Sequence, residues 1–379
     1  MSRVHIIGGG IIGLSTAVEL VHNGYEVTVF DPSPISGATS KSGGMIAPTA
    51  EVVYQQTPLF SLMHRSAEWY PDLVGLISSK TDLPLGYHAE GTLLIAVDQA
   101  DSTYLSQLRE YQTRHGFSAV HLTVRQARTK EPALSPDIHG AFSLPYDHYL
   151  TPYTFARAAY DAGKVAGVDF RYETASHISF DYSSSPAADP SAAHVHTERG
   201  VYDADYVIVA NGLGARDITG WWPENPLALR PVYGEILTVR VPAPLCPLVS
   251  SVIRGYCEGF PIYIIPREDN TLAIGATSRE DGRTSPPVFA VNDLLRHAIR
   301  MVPGIAECDF LRITTGARPG TPDDLPYLGK INSRLVVSTG YFRHGILLAA
   351  LAARVTRELI AGIAPSVDIS ACNPLRHAS

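Results

Sequence analysis

Gly8, Gly10 and Gly13, followed at residue 31 by an aspartate, carry the chemistry that can be read most directly from this chain. The run VHIIGGGIIGLSTAVELVHNGYEVTVFD spans residues 4–31. Gly8 permits a tight turn off a strand, Gly10 lets backbone approach a pyrophosphate, and Gly13 lets a helix pack close to a sheet. The unpaired N–H groups and positive dipole end of that helix then face phosphate. Asp31 follows the glycines by roughly 20 residues, where a carboxylate accepts from both ribose hydroxyls. A dinucleotide with a free 2′-OH is implied, FAD or NAD rather than NADP, and the fingerprint alone does not separate the two.

These residues need a strand before the glycines, a helix after them and a second strand ending at Asp31. Ile12, Ala17, Leu20 and Val21 recur at helical spacing and Gly24 closes the pattern, which supplies that βαβ unit. With 379 residues the chain exceeds one ordinary core, and about 150 residues per domain predicts two. A hydrophobic content of 45% provides the apolar material for both. The net charge of −7, without a Lys/Arg cluster, argues against a nucleic-acid partner. Cys246, Cys257, Cys308 and Cys372 form no CxxC or metal-type pair, so no metal site is expected and a reduced, cytoplasmic setting is. No apolar run approaches the ~20 residues of a membrane helix, so no transmembrane segment is expected.

Along the chain, Pro32 to Pro48 reads as a Gly/Ser/Thr-rich functional loop. Helical spacing runs from Leu59 to Ile77, Asp101 to His115, Thr151 to Ala166 and Val291 to Met301; a last helix is expected from Gly345 to Gly362. Strands are expected at Gly91–Val97, Val168–Phe170, Ala204–Ala210, Glu235–Val241, Pro261–Pro266, Thr271–Ala276 and Leu335–Ser338, with a hairpin tip in SSSPAADPSAA and a turn at Thr314–Pro319. The composition alternates between α/β and β-rich blocks, so the fold class is α/β (α+β overall), with two domains interleaved in sequence. A Rossmann-like dinucleotide domain takes 1–82, 146–222 and 311–379, and a second, β-rich domain takes 83–145 and 223–310.

GGGIIG, SGGMIAP, the Ala210-Asn211-Gly212 turn, PIYIIPREDNTLAIG, Thr315-Gly-Ala-Arg-Pro-Gly320 and Gly340-Tyr-Phe-Arg-His-Gly-Ile-Leu-Leu348 occur in one order. Together they resemble the D-amino-acid oxidase superfamily of flavoproteins, and within it the glycine oxidase branch tied to thiamine biosynthesis. The resemblance implies noncovalent FAD, and it implies that the second, β-rich domain is a substrate domain built on an antiparallel sheet. Its contacts carry over to Ile11, Ile12, Asp31, Pro32, Thr39, Ser40, Gly43, Gly44, Met45, Ala210, Gly212, Gly340, Tyr341, Phe342, Arg343, His344, Gly345 and Ile346, with Ser176 on the adenine side. The chain departs from the pattern at Asp31, where the family has Glu, and at Tyr341, where it has His.

The same resemblance gives Arg318 the role of substrate-carboxylate fork, Tyr263 that of a second hydrogen-bond donor, and Arg343, at the start of the last helix, that of a positive charge beside substrate and flavin. It implies hydride transfer from Cα of a small amino acid to flavin N5, with no side-chain base, then hydrolysis of the imino acid and reduction of oxygen to hydrogen peroxide. Glycine, giving glyoxylate and ammonia, is the expected substrate. A D-amino-acid or sarcosine/N-methyl-amine oxidase or dehydrogenase is the alternative within the superfamily; an NAD-dependent dehydrogenase and a noncatalytic flavin carrier are the alternatives outside it. Ser278, Tyr256 and Tyr341 are candidates to set pocket size. Cys308, the nearest candidate for a covalent flavin link, reads as a structural thiol, and no oligomeric state is legible.

Overall fold

The computed structural model describes residues 1–52, 54, 56–182 and 189–378. Its first sheet grows from the opening unit: strand Arg3–Ile7, helix Ile11–His22 and strand Glu26–Phe30. Val4, Ile6 and Ile7 are buried, as a parallel strand covered on both faces requires. The sheet runs in the order Tyr327–Lys330, Leu335–Thr339, Tyr206–Val209, Arg3–Ile7, Glu26–Phe30, Asp169–Arg171, parallel except for the first named strand. Strand order reverses at Arg3–Ile7, and the crevice beyond the carboxyl ends at such a switch point is where α/β sheets take ligands. Helices Thr57–Ser78, Pro152–Val165 and Ala349–Ile360 bury Leu62, Phe155 and Leu351 in the same core as Leu14 and Leu20.

The second sheet has eight strands in the order Asp309–Gly320, Arg230–Arg240, Thr271–Gly275, Phe260–Pro266, Val252–Cys257, Thr92–Ala96, Gly140–Leu144, Val120–Leu122. Neighbours are antiparallel apart from Val252–Cys257 beside Thr92–Ala96. Side chains alternate across it. Ile262, Ile264, Leu237 and Ile274 pack on helix Val288–Met301 through Leu294, Ala298 and Met301. Tyr263, Ile265, Ile236 and Ala273 point the other way.

Three sequence expectations change. Thr314–Pro319 is not a turn: it lies in the edge strand Asp309–Gly320, paired along its length with Arg230–Arg240. Its glycines and proline read as turn formers, but an edge strand tolerates proline because its outward N–H needs no partner. The chain therefore leaves the second sheet at Gly320, later than the expected boundary at 311. The last helix begins at Ala349, and Arg343 sits in a 3₁₀ turn, Phe342–His344, ahead of it. The carbonyls of Ile346 and Leu347 accept from the Tyr70 and Ser66 hydroxyls, which fix this approach as a separate segment. Strand Val252–Cys257 was not anticipated, because Arg254 and Gly255 interrupt its apolar pattern. Residues 183–188 of the SSSPAADPSAA segment lie outside the described residues; strands Ala175–Asp181 and Ala192–Thr197 on either side of it pair antiparallel.

The glycine turn is tight enough to test. A Cβ on Gly13 would collide with the carbonyl oxygen of Gly8, and Gly8 itself adopts φ +116° against Ala210. Gly13→Ala is expected to cost about 1–3 kcal/mol through overpacking and to lower flavin retention; denaturant unfolding and the flavin-to-protein absorbance ratio measure both.

Candidate active site

Between the two sheets lies a cavity of about 480 Å³. At its nucleotide end it is lined by Gly10, Ile11, Ile12, Asp31, Thr39, Ala210 and Gly212. The helix entered at Ile11 has neither a side-chain cap nor an acid in its first turn, so its dipole end is open to an anion. Thr39 Oγ1 accepts from the Ile11 N–H at 3.0 Å and fastens the Gly/Ser-rich loop to the helix start. Asp31 is held at the lip by the N–H groups of Gly9, 2.6 Å, and Ser33, 2.8 Å. Gly43, Gly44 and Met45 continue the wall, followed by the whole run Gly340, Tyr341, Phe342, Arg343, His344, Gly345, Ile346.

The remaining expected cofactor residues are placed elsewhere. Gly8 and Gly13 pack against Ala210 and against each other behind the wall. Pro32 is exposed, Ser40 donates its hydroxyl to the Ser36 and Gly37 carbonyls, and Ser176 lies exposed in a separate three-stranded sheet. Two lining residues, Asn211 and His344, each bury a polar atom, Oδ1 and Nδ1, without a hydrogen-bond partner. Buried polar groups are rarely left so. An elongated chamber with an open helix dipole at one end and orphaned polar atoms along its wall fits a dinucleotide such as FAD.

At the far end the second sheet supplies the polar side chains of the wall. Arg254, Tyr263, Gly275 and Ile236 occupy one rung across four strands, with side chains on the cavity face. Tyr263 leans over Gly275, where a Cβ would come within 2.5 Å of its hydroxyl, and under Gly43, where one would come within 2.9 Å. Burial pushes its hydroxyl above the usual phenol range, so it stays a donor. Arg318 lies over Gly234, where any Cβ would collide with the guanidinium, and its Nη1 donates to the carbonyls of Thr277, 3.2 Å, and Tyr233, 3.4 Å. Burial draws Arg318 below its ordinary pKa, and no carboxylate pairs with it among the described residues.

Arg343 reaches Glu51 rather than standing free: its Nη2 donates to Oε2 at 3.1 Å, while Arg254 Nη1 donates to Oε1. Burial acts to raise the Glu51 carboxyl, but the two guanidinium groups outweigh it and hold it down at about 2. Asp147 accepts from the N–H groups of Thr49 and Ala50 and so fixes the segment that carries Glu51; burial lifts its own carboxyl to about 6. His344, which burial draws down to about 4, is neutral. Of the three candidates to set pocket size, Ser278 and Tyr341 line the cavity, and Tyr256 packs edge-on against Tyr104 outside its lining. Cys308 is half-buried against the Gly304 carbonyl, away from that lining.

Glu51 and Arg254 are charged residues of the cavity wall that sequence reasoning did not single out, and Asn211 entered only as part of its turn. Arg254 and Glu51 are 203 positions apart, and no local pattern marks either. Gly234, inside the strand Arg230–Arg240, carried a readable signal, since a glycine within a strand marks close approach by another group.

A parallel nucleotide sheet whose switch-point crevice opens onto an antiparallel sheet bearing arginine and tyrosine defines a two-domain dinucleotide-dependent oxidoreductase. The family model for FAD dependent oxidoreductases matches residues 3–359, and the chain belongs to that family; FAD is its cofactor. Glycine oxidase of Geobacillus kaustophilus is 30% identical over 99% of this chain and 97% of its own. The crystal structure of glycine oxidase from that organism superposes with a TM-score of 0.86, covering 100% of both chains at 28% identity. The bifunctional protein ThiO/ThiG of Trichormus variabilis is 31% identical over 94% of this chain, which spans 52% of that relative's length. Among the described residues no helix is long and apolar enough to cross a membrane.

The Glu51 cluster gives a pH signature. With a folded pKa of about 2 against an ordinary 4.5, its ionised form contributes stability above pH 4.5 that is lost as pH falls toward 2. Glu51→Gln is expected to cost about 3 kcal/mol at pH 7. The gap in unfolding free energy between wild type and variant should narrow from pH 5 to pH 3; a constant gap would show that Glu51 is not held ionised.

Proposed function

We propose that the protein oxidises glycine to glyoxylate and ammonia, with oxygen as the electron acceptor and hydrogen peroxide as its product. The observation that carries this reading is Arg318: a guanidinium in the cavity wall, seated on Gly234, with only backbone carbonyls as partners. Its Nε and Nη2 have no partner among the described residues, which leaves one edge of the fork for a carboxylate. The 30% identity to the glycine oxidase of Geobacillus kaustophilus, over 99% of this chain, supports the choice of substrate.

Bound FAD supplies the two-electron acceptor of the reaction. The chain's own residues position the substrate. Arg318 grips the carboxylate, and the Tyr263 hydroxyl, confined by Gly43 and Gly275, donates a further bond to it. Two fixed contacts on one carboxylate leave a two-carbon substrate little freedom, and positioning of this kind removes much of the entropic barrier. The Glu51 carboxylate, held at about 2, is too weak a base to take a proton from carbon, so no side-chain base is assigned. Arg343, anchored through Glu51, places positive potential where negative charge develops. Glycine, oxygen and water then balance glyoxylate, ammonia and hydrogen peroxide. The flavin is held noncovalently, a reading supported by a wall whose lining contains no cysteine among the described residues.

Peroxide release from glycine tests the reading directly. Arg318→Ala is expected to lower kcat/KM by about 10²- to 10³-fold, the loss of a charge-assisted bidentate pair, with Arg318→Lys intermediate; an unchanged kcat/KM would overturn the assignment. Acid precipitation should leave the flavin in the supernatant, whereas colour that stays with the pellet would show a covalent link.

A further inference from the structure

Arg254 presents a second carboxylate fork to the same cavity. It is 4% exposed and lines the wall, and only Nη1 is engaged, by Glu51 and at 3.6 Å by the Met45 sulfur. Its Nε and Nη2, the side-on edge that meets a carboxylate with two parallel bonds, have no partner among the described residues. Buried polar groups are ordinarily satisfied by protein, water or ligand, and a buried guanidinium with one unpartnered edge in a cavity wall is a seat for an anionic ligand.

The charge balance points the same way. Around Tyr263 stand Arg254, Arg267 and Arg318 with the Glu51 carboxylate, while Arg343 lies near Arg318 and Asp147 near Arg254. Arg267 is spent on backbone, its Nη groups donating to the carbonyls of Gly43, 2.7 Å, and Leu150, 3.0 Å. Arg343 is open to solvent and shares Glu51, and Glu235 beside Arg318 is matched by Arg279, so the two guanidinium groups left with an unfilled edge on the cavity are Arg318 and Arg254. A substrate with a single carboxylate fills one of these forks; a substrate with two carboxylates fills both. Tyr263 separates the two forks: Arg254 faces it across one rung and Arg318 reaches in over Gly234 from the edge strand.

We infer that the preferred substrate is a small amino acid bearing a second carboxylate, on its side chain or on an N-carboxymethyl arm, with Arg318 binding the carboxylate next to the reacting carbon and Arg254 the other. This rests on the amino-acid oxidase reading and sharpens its substrate class. For the N-carboxymethyl case the balance is iminodiacetate, oxygen and water giving glyoxylate, glycine and hydrogen peroxide: the Cα–H and N–H of one arm are lost as two electrons and two protons to oxygen, and water cleaves the resulting C=N bond. For the side-chain case D-aspartate gives oxaloacetate, ammonia and hydrogen peroxide by the same steps.

The test uses the FAD-loaded enzyme with glycine, D-alanine, D-aspartate and iminodiacetate as substrates. Acetate, malonate and succinate serve as non-oxidisable ligands, followed by the shift they cause in flavin absorbance. The expected result is a kcat/KM for D-aspartate or iminodiacetate about tenfold or more above glycine, and malonate or succinate bound about tenfold or more tighter than acetate; which substrate leads tells the side chain from the N-arm. In Arg254→Met, where Arg343 still faces Glu51, both ratios should fall toward one. Oxidation of glycine with no gain for either dicarboxylate, or a gain that survives in Arg254→Met, overturns the inference while leaving the oxidase reading intact. If no amino acid is oxidised the oxidase reading fails, and the malonate-to-acetate ratio still decides the second fork. Should the variant not fold, the wild-type ratios decide alone.

Discussion

One carboxylate holds the two halves of the molecule in register. Glu51 follows the nucleotide loop, Arg254 belongs to the antiparallel sheet, and Arg343 stands in the turn beyond the parallel sheet. Removing Glu51 and Arg254 from water costs several kcal/mol per ion, and the cost is recovered only where geometry brings the charges together; Arg343 adds its charge from the exposed rim. The three segments must therefore meet in one arrangement, and a displacement of either sheet leaves a charge buried and unpaired. Asp147 extends the constraint by clamping the backbone just before Glu51.

Room for these side chains is made by missing ones. Arg318 occupies the space a Cβ on Gly234 would fill, and Tyr263 the space above Gly275. In a sheet with strands about 4.8 Å apart, a long side chain lies flat over its neighbour only if that neighbour has no side chain on the same face. The glycines thus aim the arginine and the tyrosine along the sheet and into the cavity.

The local features were legible in the sequence for a local reason. Gly8, Gly10 and Gly13 report a turn whose geometry depends on a few adjacent residues, and the helices reported themselves through apolar spacing. Arg318 and Tyr263 were singled out through resemblance; composition alone offered one arginine and one tyrosine among many. Glu51 and Arg254 escaped because their meaning lies in each other, across a separation that only the folded chain closes. The strand containing Arg318 was mistaken for a turn for the converse reason: its glycines and proline have strong local preferences, overruled by pairing with Arg230–Arg240.

That strand carries a consequence for motion. Its ladder along Arg230–Arg240 puts Arg318 on a stretch that can open only by giving up a long series of backbone hydrogen bonds. Arg343 is on a three-residue 3₁₀ turn, held by side chains rather than by a ladder. The wall of the chamber is therefore stiff on one side and compliant on the other. A change in the width of the chamber falls to the turn, while the Arg318 guanidinium keeps its place.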